Sequence, residues 1–366
     1  MALGEGGDDP AAGAEAALAA RAAWLYHAGG MTQSAVARTL GVTGAKAHRL
    51  LARAARDGTV RVLVDGPIGG CVELERGLAE RFGLGVCRVV PDLGERGLPL
   101  RALGQAGAAF LWRALGGSAA GTVVGVGQGR ALAACVGHLP RVAAPGLRLV
   151  SLLGGLPRMR TANPYEVIHL LAERTGAESW LVPVPLFANA AEDRDVLLAQ
   201  RGVREAFELA RRARLCLVGI GEVGEDAFLH RADAVTGPEM VALRAQGAVG
   251  EVLGRWFDAD GAALDAPLHA RVIAAPLDSL RGLTAVAGGE AKRRAILAVL
   301  RARVLEGLIT DEPTARRLLA ERPGGRTTRT RERSDGEPTA GGDDTCTRRP
   351  KTRRRASSPG ASAGAN

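Results

Sequence analysis

GTVVGVGQGRALAACVGH, residues 121–138, reads as a strand, a glycine loop and a helix in direct succession. Residues 121–126 are apolar and β-branched enough for a buried strand, and 131–138 carry helical composition. Between them, Gly125-Val126-Gly127-Gln128-Gly129-Arg130 is a loop whose backbone amides can approach an anion at a helix N-terminus. A strand feeding a helix through glycines is the repeating unit of a parallel sheet.

The same alternation extends both ways. Further strand candidates are 86–90, 147–153, 179–184, 215–220, 271–275 and 284–287, separated by helical stretches at 74–82, 100–115, 164–175, 203–213 and 290–300. The expected architecture is a Rossmann-like, mostly parallel sheet with helices on both faces, whose ligands sit beyond the carboxyl ends of the strands. Glycine pairs recur at those ends, as Gly154-Gly155, Gly219-Ile220-Gly221 and Ala287-Gly288-Gly289. A dinucleotide cofactor is disfavoured because the first loop is spaced G-x-G-x-G and the next strand, 147–153, has no acid for a ribose hydroxyl. For each loop taken alone, a plain tight turn remains the alternative.

Ahead of this body lies a short basic module. A first helix over 14–27 stops at Gly29-Gly30; Thr32 is placed to cap a second helix, which Gly41 ends, and Thr43 to cap a third running to Asp57-Gly58. Ala37 is small where two helices cross, and Gly41 suits the left-handed turn of a helix-turn-helix. The start of the third helix, Gly44, Ala45, Lys46, His48 and Arg49, then meets base edges or phosphates in a major groove. Residues 59–64 alternate weakly and read as a wing. The alternative is a small helical bundle that never touches DNA.

Charge supports the division. The net +9 resolves into −4 over 1–20, +6 over 21–64, +1 over 65–321 and +6 over 322–366. A basic module joined to a nearly neutral body is the balance of a chain that meets nucleic acid with one part only. The tail from 322 loses apolar periodicity and is expected to be disordered, its run Arg348 to Arg355 either adding non-specific DNA affinity or only solubilising.

Other classes are disfavoured. The five cysteines, Cys71, Cys87, Cys135, Cys216 and Cys346, show no metal-ligand spacing and read as reduced cytoplasmic thiols, so no metal or cofactor is expected. No secretory signal and no run of membrane-spanning length is present, and no hydrolase or zinc-protease motif occurs.

An ordered series of segments resembles the SorC family of sugar-binding transcriptional regulators, close to the DeoR type. It comprises Leu25-Tyr26, Met31-Thr32-Gln33, Leu40-Gly41-Val42, Arg49-Leu50-Leu51, Arg81-Phe82-Gly83-Leu84, Gly125-Val126-Gly127, Leu152-Leu153-Gly154-Gly155 and Val218-Gly219-Ile220-Gly221. Most specific is the run from Gly247 to Asp258, followed by Ala287-Gly288-Gly289 and Lys292. The resemblance implies a non-enzymatic regulator whose larger domain has the fold of sugar-phosphate isomerases and deaminases; an enzyme of that type with an N-terminal extension is the competing class.

It further implies a phosphorylated sugar effector. Gly125, Gly127, Gln128, Gly129 and Arg130 would cradle the phosphate with Lys292, Phe257 and Asp258 would line the sugar end, and Gly154 and Gly155 would border the site. Thr32, Gln33, Thr43, Gly44, Lys46, His48, Arg49 and Arg53 would face double-stranded operator DNA. The expected partition is 1–13 disordered, 14–64 DNA-binding, 65–70 linker, 71–321 effector binding and assembly into a homodimer or homotetramer, and 322–366 tail. The chain departs from the family pattern at Gln128, where Trp is common, and at Ala131, where a hydroxyl residue is common.

Overall fold

The computed structural model describes residues 10–60, 68–116, 118–144, 146–156 and 167–321. The expected wing residues 61–64, the linker up to residue 67, the first nine residues and the basic tail lie outside the described residues.

In the N-terminal module, α1 (Pro10–Ala23) continues into one π-helical turn, Trp24–Ala28. Helices α2 (Gln33–Leu40) and α3 (Gly44–Arg56) follow. Both cap where the sequence places them: Thr32 Oγ1 accepts from the Ala35 amide at 3.3 Å, and Thr43 Oγ1 from the Lys46 amide at 3.2 Å. Gly41 between them is left-handed, with φ 64°. The core of this module is built mainly of alanine, with Ala19, Ala22, Ala23 and Ala54 around Val36 and Leu50. Such small residues allow helices to approach closely, which suits a turn of three residues between α2 and α3.

The body holds a seven-stranded sheet in which every pair is parallel. Its strands are β1 (Val86–Val90), β2 (Val123–Val126), β3 (Arg148–Ser151), β4 (Glu178–Trp180), β5 (Leu215–Val218), β9 (Leu283–Val286) and β10 (Gly307–Asp311). They lie in the order β1-β10-β9-β5-β2-β3-β4. A parallel sheet must be covered on both faces, and successive residues divide accordingly. Cys216 and Val218 of β5 join one buried cluster with α4 (Cys71–Phe82), α9 (Arg201–Ala210), α12 (Arg293–Arg301) and α13 (Glu312–Ala320). Leu217 joins the other, with α5 (Leu100–Gly116), α6 (Arg130–His138) and α7 (Val167–Thr175).

β10 is not among the expected strands, and three further departures from expectation are local. Residues 271–275 form no strand of the sheet; Val272 and Ala274 make single antiparallel bridges to Phe187 and Leu153, and Pro276 follows. β4 ends at Trp180, short of the expected 184. The chain also builds a small antiparallel sheet, β6 (Gly221–Glu222), β7 (Gly250–Val252) and β8 (Arg255–Phe257), in the order β6-β7-β8. Its β7–β8 hairpin turns through Leu253 and Gly254, at φ 50° and 73°, the handedness favoured by two-residue hairpins although leucine adopts it at a cost.

Candidate functional site

The connections of the sheet part between β2 and β5. From β2 the chain moves to β3 and β4 on one side, and from β5 to β9 and β10 on the other. Between two such strands the following loops diverge and leave a crevice at the carboxyl ends. A cavity open to solvent occupies that position. Gln128, Gly129 and Arg130 line it from the end of β2, Gly219 to Glu222 from the end of β5, Leu253 and Trp256 from the β7–β8 hairpin, and Lys292 from the loop after β9.

Each contributor has a local cause. Gly129 takes φ 130°, a backbone conformation open to glycine, and N-caps α6 with no side-chain acceptor. The first amides of α6 are therefore free of a side-chain cap and carry the partial positive charge of a helix start. Lys292 is placed by a staple at the far end of β10. Asp311 is buried, and its Oδ2 accepts from the Gly289 amide at 2.8 Å while its Oδ1 accepts from the Thr314 amide at 3.0 Å. Gly288 packs so closely on that carboxylate that a side chain there has no space. Thus fixed, the loop sends Lys292 across to the segment after β5, where Nζ donates to Ile220 O at 2.6 Å and lies 3.1 Å from Glu222 Oε2.

A second carboxylate sits beside this pair. Glu251 Oε1 accepts from the Gly254 amide at 2.6 Å, and its other oxygen fills the place a side chain at residue 221 would need, so Gly221 is required there. Burial pushes the Glu251 carboxyl up to about 7; the Gly254 amide and the Lys292 ammonium oppose that rise, and Glu222 adds to it. Trp256, buried, forms an apolar wall: its ring stacks on Phe187 at 6.0 Å and on His269 at 5.5 Å. The Trp256 amide donates to His269 Nε2 at 3.0 Å, and burial, with Arg255 nearby, lowers the His269 pKa, so the acceptor stays neutral.

Of the residues singled out from sequence, Gln128, Gly129, Arg130 and Lys292 meet at the cavity. The others lie elsewhere. Gly125 packs within β2 against Leu152 and Cys216, and Gly127 bonds through its amide to Leu217 O. Gly154 abuts the carbonyls of Val184 and Pro185, and Gly155 pairs with the same segment beside a smaller hollow that contains the Glu239–Arg271 ion pair. Phe257 is core. Asp258 closes its own turn, its Oδ1 accepting from the amides of Asp260 and Ala262 at 2.9 and 2.8 Å. Sequence reasoning passed over Glu222, Glu251, Leu253 and Trp256. The available signal was an acid set directly against glycine and apolar neighbours in Gly221-Glu222 and Gly250-Glu251-Val252.

In the N-terminal module, Thr32, Gln33, Thr43, Gly44, Lys46, His48 and Arg49 are exposed, while Ala47 and Leu50 on the other face of α3 are buried. Gln33 Nε2 donates to Gly44 O at 3.3 Å, tying the two helices. Arg53 differs: it reaches Glu15 at 3.0 Å and Asp57 at 3.1 Å, holding α3 against α1. Among the described residues no group of His, Cys, Asp and Glu could hold a metal, and no helix is long and apolar enough to cross a membrane.

Residues 66–320 match the protein family described as "Putative sugar-binding domain". The chain is 50% identical over 312 residues to the erythritol catabolism regulatory protein EryD of Brucella abortus, covering 85% of this chain and 98% of that one. The chain belongs to the SorC family of sugar-binding transcriptional regulators. It is also 34% identical to the transcriptional regulator LsrR of an Enterobacter species, over 84% of this chain and 94% of that one. Among solved structures it resembles the full-length sorbitol operon regulator SorC of Klebsiella pneumoniae, with a TM-score of 0.61 and 27% identity, covering 84% of this chain and 99% of that one. These relatives are transcriptional regulators, and this chain is likewise a carbohydrate-controlled DNA-binding regulator and not an enzyme.

Proposed function

We propose that this regulator binds operator DNA through the start of α3 and that a small phosphorylated polyol or sugar, held at the β2–β5 crevice, sets its DNA affinity. The observation that carries the reading is the convergence of the uncapped start of α6 and Lys292 on one cavity. A helix start and an ammonium together make a phosphate site. The relative EryD is named for erythritol catabolism, which points to a short polyol or its phosphate as the effector. Within that site Gly129, Arg130 and Lys292 take the phosphate end and Gln128 the polyol chain.

The regulator acts as a homodimer or homotetramer in the cytoplasm, since paired half-sites need at least two recognition helices. Residues 14–64 form the DNA-binding module and residues 71–321 the effector and assembly domain. Thr32, Gln33, Thr43, Gly44, Lys46, His48 and Arg49 face the DNA. Arg53 contributes by bracing α3.

Fluorescence anisotropy on labelled DNA from upstream of its own gene tests this, titrated at several salt concentrations with and without erythritol 4-phosphate. Specific binding that the phosphate shifts is expected. Arg49→Ala should lower the salt dependence by about one counterion, as loss of one phosphate contact does, whereas Arg53→Ala should weaken binding without that change of slope. Absence of binding at low salt overturns the reading.

A further inference from the structure

Two oxygen acceptors in the cavity are buried without an aligned donor. Gln128 Oε1 and Glu222 Oε2 are both buried without a hydrogen-bond partner, and both residues line the crevice, one from each side of the point where the sheet connections part. A buried acceptor left unmade costs about 1 to 3 kcal/mol, so a ligand that supplies the donor gains from meeting it. Hydroxyl groups are such donors.

Glu222 has a second relation to the site. Its Oε2 lies close enough to Lys292 to pair in charge, at 3.1 Å, while one N–H of the ammonium donates to Ile220 O. The pair is charge-balanced but not aligned as a hydrogen bond. Lys292 is not a free cation awaiting phosphate; an anion must compete with Glu222 for it. The β6–β7 ladder holds the Glu222 backbone in register opposite Gly250, which keeps its carboxylate within reach of the ammonium. Glu251 stands against the neighbouring Gly221 and adds a second carboxylate to the cavity, which disfavours any anion that brings nothing to satisfy those acceptors.

We infer that Glu222 is a specificity-determining residue of the effector cavity: it guards Lys292 against bare anions, and once an effector's phosphate takes the ammonium, its carboxylate accepts the effector's hydroxyls. Gln128 Oε1 accepts from the same polyol chain on the opposite side. The cavity thus selects a phosphate that carries several hydroxyls over inorganic phosphate. This rests on the crevice being the phosphorylated-polyol site proposed above.

Calorimetric titration of the full chain with inorganic phosphate and with erythritol 4-phosphate tests the inference in wild type, Glu222→Gln and Glu222→Ala. Wild type should prefer the polyol phosphate. In Glu222→Gln, which preserves shape and removes charge, inorganic phosphate should bind roughly tenfold tighter, the scale of one charge-assisted hydrogen bond. The polyol phosphate should gain much less, so that the preference narrows by about the same factor. Glu222→Ala should narrow it at least as much, and thermal melts of both variants verify folding. An unchanged preference in both folded variants overturns the role of Glu222. If wild type binds neither phosphate, the effector reading itself fails and takes this inference with it, and that result is visible without any variant.

Discussion

Glu251 gives the molecule a pH signature that one substitution isolates. Its carboxyl, raised from 4.5 to about 7 chiefly by burial, holds a proton more tightly in the folded chain than in the unfolded one. The stability this contributes is full below about pH 4.5, drains as pH rises toward 7 and is constant beyond. Glu251→Gln keeps an acceptor for the Gly254 amide and cannot ionise. The variant is expected to gain on wild type progressively over that window and to lead by about 3 kcal/mol above it. Denaturant midpoints across about pH 5 to 8 measure the gap; a gap that does not vary with pH would show that the carboxyl ionises as it does in water. This group was hidden in the sequence because an acid beside glycine looks like a surface acid until the β7–β8 hairpin folds over the crevice. Lys292 and the segment from Gln128 to Arg130 were legible because loop, helix start and charge lie close together in the chain. Phe257-Asp258 has suitable chemistry for a sugar, but chemistry does not reveal direction, and the carboxylate turns back onto Asp260 and Ala262.

Between elements, the tightest helix contact is the one that supports the crevice from below. α5 meets α6 through Gly104 and Gly107: a methyl group on Gly104 would come 2.8 Å from His138 Nδ1 and 3.0 Å from Ala134 O, and one on Gly107 would overlap the sulfur of Cys135. Cys135 is fully buried, and burial pushes its thiol up to about 12, so the sulfur has nowhere to move. Alanine favours a helix over glycine by up to about 1 kcal/mol, but overpacking a closed interface costs about 1 to 3. Gly107→Ala is therefore expected to lower stability, while Gly116→Ala, which meets nothing within 4 Å at the end of the same helix, should hold or raise it. Thermal melts of the two variants decide, and equal melting temperatures would mean that α6 shifts to absorb the methyl. At this scale the caps and the Gly41 turn were readable because each depends on one residue and its immediate neighbours. β10 was not: Gly307–Asp311 is buried at every position, so it shows no alternation to detect. The strands β6 to β8, at two or three residues each, are too short for any period. Residues 271–275 misled because an apolar run bridging two loops has the composition of a strand and none of its neighbours.

For the molecule as a whole, the sequence shows that a basic module and a neutral body are joined, but charge and periodicity contain nothing about how one informs the other. Thermodynamics constrains that connection without any pathway being known. If erythritol 4-phosphate changes operator affinity by some factor, operator DNA must change the affinity for erythritol 4-phosphate by the same factor. Couplings of this kind run from about 5- to 150-fold, or about 1 to 3 kcal/mol. The expectation is that calorimetric titration of the DNA-bound chain with that phosphate differs from titration of the free chain by the ratio that anisotropy gives for DNA in the presence and absence of the phosphate. With Lys292 holding the phosphate as proposed, Lys292→Met should abolish both shifts together while leaving operator affinity in phosphate-free protein near wild type. Equal effector affinity with and without operator would mean that the crevice binds its ligand without reporting it to α3. Unequal factors at matched salt would mean that the two measurements follow different assemblies, and the phosphate would then be acting on how many copies of the chain associate.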